Sequence, residues 1–338
     1  MADGQLTFEK SDGGTFDSEM SILVLGGTGF IGKHLVQSLL ETGEAVKIFS
    51  RGRSTNPVWL ESLDAGLIEL ITGDLSTFSK WDQVLEDVST VFHVTGSATP
   101  ELSDKDPAFD IESNLLGTVR FLQHAIHYPD LRILFCSSGG TVYGLSGAEP
   151  IAENAPTNPV CAYGVVKLAI EKYLEFFRYR SNLNYIVLRP SNLYGPWQDP
   201  STGQGIVGIF FKRILEGRPI QIFGDGANVR DYLFVDDLVD ALLKAATYRG
   251  DERIFNIGSG QGQSINELVH AIEQITQKKA EVSYLPQRTF DVRNNVLDIE
   301  RARDLLGWEP KTSFSDGLAK TYEWLIQNCY SVDALKSC

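Results

Sequence analysis

The run LVLGGTGFIGKHL, residues 23–35, sets Gly26, Gly29 and Gly32 three residues apart, directly behind an apolar stretch and at the opening of a helical period. Residues without a Cβ at such a turn let backbone N–H groups and the helix N-terminus approach a pyrophosphate, and the last glycine lets helix and strand pack closely. The run therefore predicts the first βαβ unit of a parallel sheet, with Gly26, Gly29, Phe30, Ile31 and Gly32 around a dinucleotide. A glycine-rich turn that holds no ligand is the alternative.

The rhythm that follows agrees. AVKIFS, LIELITGD, TVFHVTG, RILFCSS and NYIVLRPSN read as strands, between helical periods that end near Leu40 and cover Trp81–Leu85, about Phe109 to Ile126, and about Cys161 to Tyr179. Six such units predict an α/β, Rossmann-type, doubly wound parallel sheet. After Asn192 the chain loosens into Gly/Pro-rich loops between isolated helices, which predicts a smaller C-terminal substrate lobe. The expected division is a disordered tail over 1–20, a dinucleotide domain over 21–190, and a lobe over 191–330 from which segments near 231–258 return to the first domain.

Composition excludes several partners. Thirty Lys and Arg against 44 Asp and Glu give a net charge of −14, and no basic cluster exceeds Lys278-Lys279, so a nucleic-acid partner is not expected. Cys136, Cys161, Cys329 and Cys338 form no C-x-x-C pair, and the five histidines show no zinc spacing, His124 and His127 reading as a solvated helix end. Residues 1–20 lack the apolar stretch of a signal peptide and no later run reaches ~18 apolar residues. A cytoplasmic protein without membrane insertion or metal is expected.

At the end of the second strand, Ser50 stands where an acid would take the ribose hydroxyls of NAD, with Arg51 and Arg53 just beyond. That placement suits the 2′-phosphate of NADP, unless the arginines are merely solvated. Asp74 and Leu75, closing ITGD, are set for the adenine side; Asp74 serves equally as a helix cap.

YGVVK puts Tyr163 and Lys167 four apart on one helix face, a candidate general base and its tuner. Ionising a phenol near neutral pH requires roughly a three-unit drop, about 4 kcal/mol. An ammonium ~6 Å away at an effective dielectric of about 20 supplies roughly 2.8 kcal/mol, and an oxidised nicotinamide ring, itself cationic, is expected to supply the remainder.

Through these two motifs and several more, the chain from about Ser21 to Leu325 resembles the extended short-chain dehydrogenase/reductase family, in its nucleotide-sugar epimerase/dehydratase branch. NLLGT with Asn114, SSGGTVYG, LRPSNLYGP, GDGANVRDYLFVDD, FNIGSG and LDIERARDLLGWEP carry the resemblance. It implies a hydride-transfer centre of Tyr163 and Lys167 with NAD as cofactor, and Asn192 and Arg230 at a nucleotide diphosphate. It also implies a second phosphate-binding arginine at Arg288, a ribose-binding acid at Asp291 and a sugar-side gatekeeper at Asn295. A homodimer through the helices near Phe109–Ile126 and Cys161–Tyr179 is implied as well.

Aligned on VYG, the family's sugar-binding Ser/Thr falls at Gly139, which has no side chain, so a neighbour must supply the hydroxyl. Ser138 is the first candidate and Thr141 the second, while strand alternation turns Ser137 to the other face. The alternative is that these hydroxyls only satisfy the turn. Family dehydratases carry an Asp-Glu pair in this loop; Gly139-Gly140-Thr141 offers no carboxylate. The resemblance therefore implies a nucleotide-sugar epimerase, a UDP-sugar 4-epimerase first, with an NADP-dependent reductase or dehydrogenase and a non-catalytic cofactor-binding sensor as rivals.

Overall fold

The computed structural model describes residues 20–52, 59, 62–63, 66–96, 99–146, 150–201, 203–288 and 291–330. The tail expected before Ser21 falls almost entirely outside them, as do Arg53 and Cys338.

Seven strands form one all-parallel sheet. In chain order its members are β1 (Ser21–Leu25), β2 (Val46–Ser50), β3 (Ile68–Thr72), β4 (Val88–His93), β5 (Arg132–Cys136), β6 (Asn184–Pro190) and, after a long excursion, β10 (Ile254–Ile257). Across the sheet they run β10-β6-β5-β4-β1-β2-β3. β1 is followed by α1 (Phe30–Glu41), and the chain crosses back between β1 and β4, opening a crevice at the strands' C-terminal ends.

Both faces are covered, as the apolar β1 and β5 require by being buried along their whole length. On one face Leu35, Val36 and Leu39 of α1 pack with Leu238 and Leu242 of α8 (Val235–Thr247). On the other lie α2 (Trp81–Leu85), α5 (Gly117–Ala125) and α6 (Ala162–Ser181), contributing Trp81, Phe121, Ile170 and Leu174. The helix expected over Phe109–Ile126 is interrupted. After the short α3 (Pro100–Lys105), α4 (Pro107–Asp110) passes into a π-helical turn, Ile111–Leu116, before α5. Such turns reposition side chains and recur at functional sites. Here the turn carries Asn114, whose Nδ2 donates to the fully buried Asp110 carboxylate at 2.7 Å.

A third core belongs to the lobe: Phe211 and Ile214 of α7 (Ile206–Leu215), Leu268 and Ile272 of α9 (Ile265–Thr276), and Leu318 and Leu325 of α11 (Phe314–Cys329). β7 (Asn192–Tyr194) pairs with β9 (Val229–Phe234), which also pairs with β11 (Gly262–Ser264) and β13 (Asn294–Asn295), while β8 (Ile220–Phe223) pairs with β12 (Val282–Leu285). The return of the 231–258 segment takes the form of α8 and β10. A further return, which the sequence did not suggest, brings Leu297, Ile299 and Trp308, with Ala302 of α10 (Glu300–Leu306), into the first core.

Candidate active site

A cavity of about 590 Å³ runs along the C-terminal ends of the sheet strands, from Gly26 and Arg51 at one end to Arg230 and Ile206 at the other. Gly26 sits at φ +88°, and a Cβ on Gly29 would come within 3.2 Å of the Gly26 carbonyl. Gly32 does not line the cavity. A Cβ there would lie 2.1 Å from the same carbonyl, so its role is the close packing of helix on turn. No side chain caps α1 and its first turn holds no acid, leaving its N–H groups directed to the cavity where Gly29, Phe30 and Ile31 form the wall. This cradle, which a side chain would fill, fits a dinucleotide pyrophosphate.

At the adenosine end, Ser50, Arg51, Asp74 and Leu75 share the wall. The capping alternative for Asp74 falls: α2 begins after Lys80, and Asp74 instead takes the Ser76 N–H at 2.9 Å and the Ser76 hydroxyl at 2.6 Å. Those Ser76 bonds, with Arg51 adding a smaller attraction, hold the Asp74 carboxyl below the usual carboxylate range.

The central section joins Tyr163, Lys167, Ser138, Gly140 and Thr141. α6 approaches the loop closely because residue 164 is glycine; a Cβ there would stand 3.0 Å from the Thr141 carbonyl. Lys167 Nζ lies 5.7 Å from the centre of the Tyr163 ring, as the helical spacing predicts. Burial works against the ammonium's pull. Burial, reinforced by the Cys136 and Asp110 side chains, pushes the Tyr163 phenol above its ordinary value, and burial lowers Lys167. Desolvation is the leading cause for both groups, and Lys167 directs its hydrogen bonds to the Cys136 and Thr95 carbonyls.

Ser137 faces away from the chemistry, as alternation predicts, its hydroxyl donating to Glu171, which also holds Arg189 at 2.6 Å. At Gly139 a Cβ would lie 2.6 Å from Leu297 Cδ1 and 2.8 Å from the Arg189 carbonyl, so the missing side chain has been replaced by packing. A Cβ on Gly140 would lie 3.9 Å from Ser138 Oγ and 3.7 Å from Asn192 Oδ1, which puts the Ser138 hydroxyl on the cavity side. Thr141 Oγ1 is buried without a hydrogen-bond partner among the described residues.

Asn192 and Arg230 line the far section. Asn192 Nδ2 donates to the Asp231 carbonyl at 3.1 Å. Arg230 donates to its neighbour's carbonyl at 2.8 Å and makes no ion pair among the described residues, a half-buried cation open to an anion. Beneath it, fully buried Asp231 accepts from Ser191, Ser259, Gly260 and Leu297, tying both lobes to the base of the Arg230 strand.

Three expected contacts stand elsewhere. Arg288 is exposed with its guanidinium 3.5 Å over the Phe223 ring, Asp291 reaches Arg230 only as a weak electrostatic neighbour, and neither lines the cavity. Asn295 is buried, donating to the Gly139 carbonyl at 3.2 Å; pairing of β13 with β9 turns it under the loop and away from the cavity wall. Conversely, Gln198, Gln204, Gly205, Ile206 and Val207 line the site unannounced. The available signal was a second Gly-rich loop entering a helix with no acid in its first turn: α7 has an uncapped N-terminus behind Gly205 at φ +85°.

Among the described residues no helix is long and apolar enough to cross a membrane, and no cluster of His, Cys, Asp or Glu suited to a metal occurs.

Residues 22–258 match the model of the NAD dependent epimerase/dehydratase family. A UDP-glucose 4-epimerase of Mycolicibacterium smegmatis is 38% identical over 315 residues, covering 90% of this chain and 98% of that protein. Among solved structures, the UDP-glucose 4-epimerase of Thermotoga maritima with UDP-glucose superposes with a TM-score of 0.85 at 37% identity, covering 91% of this chain and 99% of that one. The UDP-glucose 4-epimerase of Thermus thermophilus with NAD gives 0.81 at 32% identity, covering 90% and 98%.

Proposed function

The chain belongs to the NAD dependent epimerase/dehydratase family, and on that premise we propose that it inverts C4 of a UDP-sugar through a 4-keto sugar. The observation that carries this reading is one cavity that joins a dinucleotide cradle, the Tyr163–Lys167 pair and an anion-receptive end at Arg230, with Asp74 at the remote end as the wall's carboxylate among the described residues. The cavity wall near Tyr163 holds, among the described residues, no carboxylate of the kind that removes water.

When bound, the nicotinamide dinucleotide supplies a reversible hydride acceptor. Gly26, Gly29, Phe30 and Ile31 hold its pyrophosphate end, and Ser50, Arg51, Asp74 and Leu75 its adenosine end. Tyr163 accepts the proton of the C4 hydroxyl and returns it to the same oxygen after the sugar has turned over. Lys167, anchored on the Cys136 and Thr95 carbonyls, offers its remaining donor capacity to the site. Ser138 orients the reacting oxygen and Thr141 Oγ1 gains a partner it otherwise lacks. Arg230, Asn192 and the α7 N-terminus take the diphosphate, whose two charges match one guanidinium and one helix end. Arg288 and Asp291 stand beyond the wall and serve as outer contacts.

The same reading includes a homodimer, supported by the exposed Phe109, Ile111 and Leu116 beside Val165, Tyr173 and Phe176 of α6, and a cytosolic site of action, supported by the unpaired thiols of Cys136 and Cys161. Proton NMR of the purified protein with UDP-glucose, UDP-N-acetylglucosamine and UDP-glucuronic acid tests the function. C4 inversion of at least one without net reduction of dinucleotide is expected. Stoichiometric dinucleotide consumption would replace the epimerase by a dehydrogenase or reductase.

A further inference from the structure

One turn into α1 from the dinucleotide cradle, His34 is 8% exposed and both of its ring nitrogens face oxygen. Nδ1 is 2.6 Å from Asp236 Oδ1 at the start of α8, and Nε2 is 3.0 Å from the carbonyl of Pro196. A carbonyl only accepts, so Nε2 carries a proton. Nδ1 lies within hydrogen-bond distance of the Asp236 carboxylate, so the ring is tied at both of its nitrogens. Its edges pack on Trp197, 4.6 Å between ring centres, and on Phe30 at 6.0 Å.

The held turn is strained and leads to the substrate end. Trp197 sits at φ +62°, a conformation that a bulky residue keeps only when its surroundings enforce it. Its neighbour Gln198 lines the cavity, donates to the Leu193 carbonyl at 3.2 Å, and fills the space where a Cβ on Gly205 would lie 2.4 Å away. Gly205 in turn is the residue before α7, whose uncapped N-terminus faces the same cavity.

We infer that His34 is a positioning residue that sets the α7 helix end against the α1 helix end, by clamping the Pro196–Gln198 turn that Gly205 rests upon. The inference rests on the function proposed above in taking the α7 end as the seat of the diphosphate. It extends that reading by making substrate affinity depend on a residue of the dinucleotide helix that touches no ligand. Dinucleotide binding is spared, because the two bonds of the clamp run to Asp236 and Pro196 and none runs to Gly26–Ile31.

The test uses the full-length protein with His34→Phe, which keeps the aromatic packing and removes both bonds, and Asp236→Asn, which keeps a hydrogen-bonding partner for Nδ1. Asp236→Ala serves if His34→Phe does not fold, since it deletes one arm from the exposed side. Hydrogen exchange is read over residues 195–201, with the Kd of UDP, the KM and kcat for UDP-glucose, and the Kd of the dinucleotide. His34→Phe is expected to speed exchange in that turn and raise the UDP Kd and the sugar KM about tenfold or more, with kcat and dinucleotide affinity within about threefold. Asp236→Asn is expected to stay within about twofold of wild type, and Asp236→Ala to fall between. Unchanged exchange in the turn overturns the clamp, as does an equal loss in kcat and dinucleotide affinity, which would mean general loosening. A wild-type protein that ignores UDP and UDP-glucose strikes the proposed function instead, and the exchange measurement then still decides the clamp.

Discussion

Lys167 Nζ stands 5.7 Å from the Tyr163 ring centre, yet its hydrogen bonds go to the Cys136 carbonyl at 2.8 Å and the Thr95 carbonyl at 3.4 Å. The lysine is braced beside the phenol without a direct bond to it, and burial raises that phenol's pKa, so the ionised form that takes the C4 proton depends on the cationic charge beside it, from Lys167 and from an oxidised nicotinamide when bound. Tyr163→Phe should therefore abolish turnover while UDP binding stays within about threefold, since the diphosphate contacts are remote. Calorimetric UDP titration and NMR turnover check this, and a variant keeping more than about a tenth of the rate would remove Tyr163 from the chemistry.

Ser138→Ala should lower kcat by about 10²-fold, the scale for losing a hydrogen bond that assists proton transfer. Thr141→Ala should cost less, about tenfold, because on the proposed reading its buried, unpartnered hydroxyl gains one hydrogen bond without sharing the moving proton. The opposite order in steady-state rates would transfer the role to Thr141.

Restoring the family's hydroxyl by Gly139→Ser should fail. The new Cβ meets Leu297 Cδ1 at 2.6 Å and the Arg189 carbonyl at 2.8 Å, and overpacking of this kind costs about 1–3 kcal/mol. Adding Leu297→Ala should recover only part, because the Arg189 carbonyl is backbone and cannot yield. Urea unfolding of the single and double variants reads both effects, and a Gly139→Ser protein as stable as wild type would disprove the packing account.

His93 is held neutral between Thr118 at 2.8 Å and Thr95 at 2.9 Å, and burial first, Lys167 second, depress it to about 3. Its folded value lies below the unfolded one, so its stabilising contribution is complete above about pH 6.5 and is lost as pH falls toward 3. Wild type should lose up to about 1.4 kcal/mol per pH unit from this group in that window. His93→Gln should flatten the acid slope by about one proton. Equal slopes in denaturant titrations at pH 7, 6 and 5 would contradict the assignment.

Ser50 stands where an acid would repel a 2′-phosphate, and exposed Arg51 lines the same wall with the Asp74 carboxylate as its electrostatic neighbour. NADP should bind at least as well as NAD, since a charge-assisted bond of about 1.5–3 kcal/mol is worth roughly ten- to over a hundredfold. Arg51→Ala should weaken NADP alone. A tenfold preference for NAD that survives the substitution would show that Arg51 is only a solvated loop residue.

Much of this was legible in the chain itself because it depends on short-range rules. The glycine spacing at 26, 29 and 32, the alternation of strand and helix, and the four-residue step from Tyr163 to Lys167 each follow from local geometry, and the cavity joins Gly26, Tyr163 and Lys167 with Ser138, Asn192 and Arg230, which the family resemblance implied. Only the tertiary structure decided the rest. Tyr163 is pushed up and not down because desolvation is a property of the packed site. Asn295 turns under the loop because β13 pairs with β9, and Gly139 is filled by Leu297 from a segment 158 positions later. The His34 link spans 202 residues to Asp236 and 162 to Pro196, and the α7 helix end becomes part of the site only when that loop is pinned. Contacts between residues so distant in sequence leave no period or spacing to read, since they are selected by the packing of whole elements.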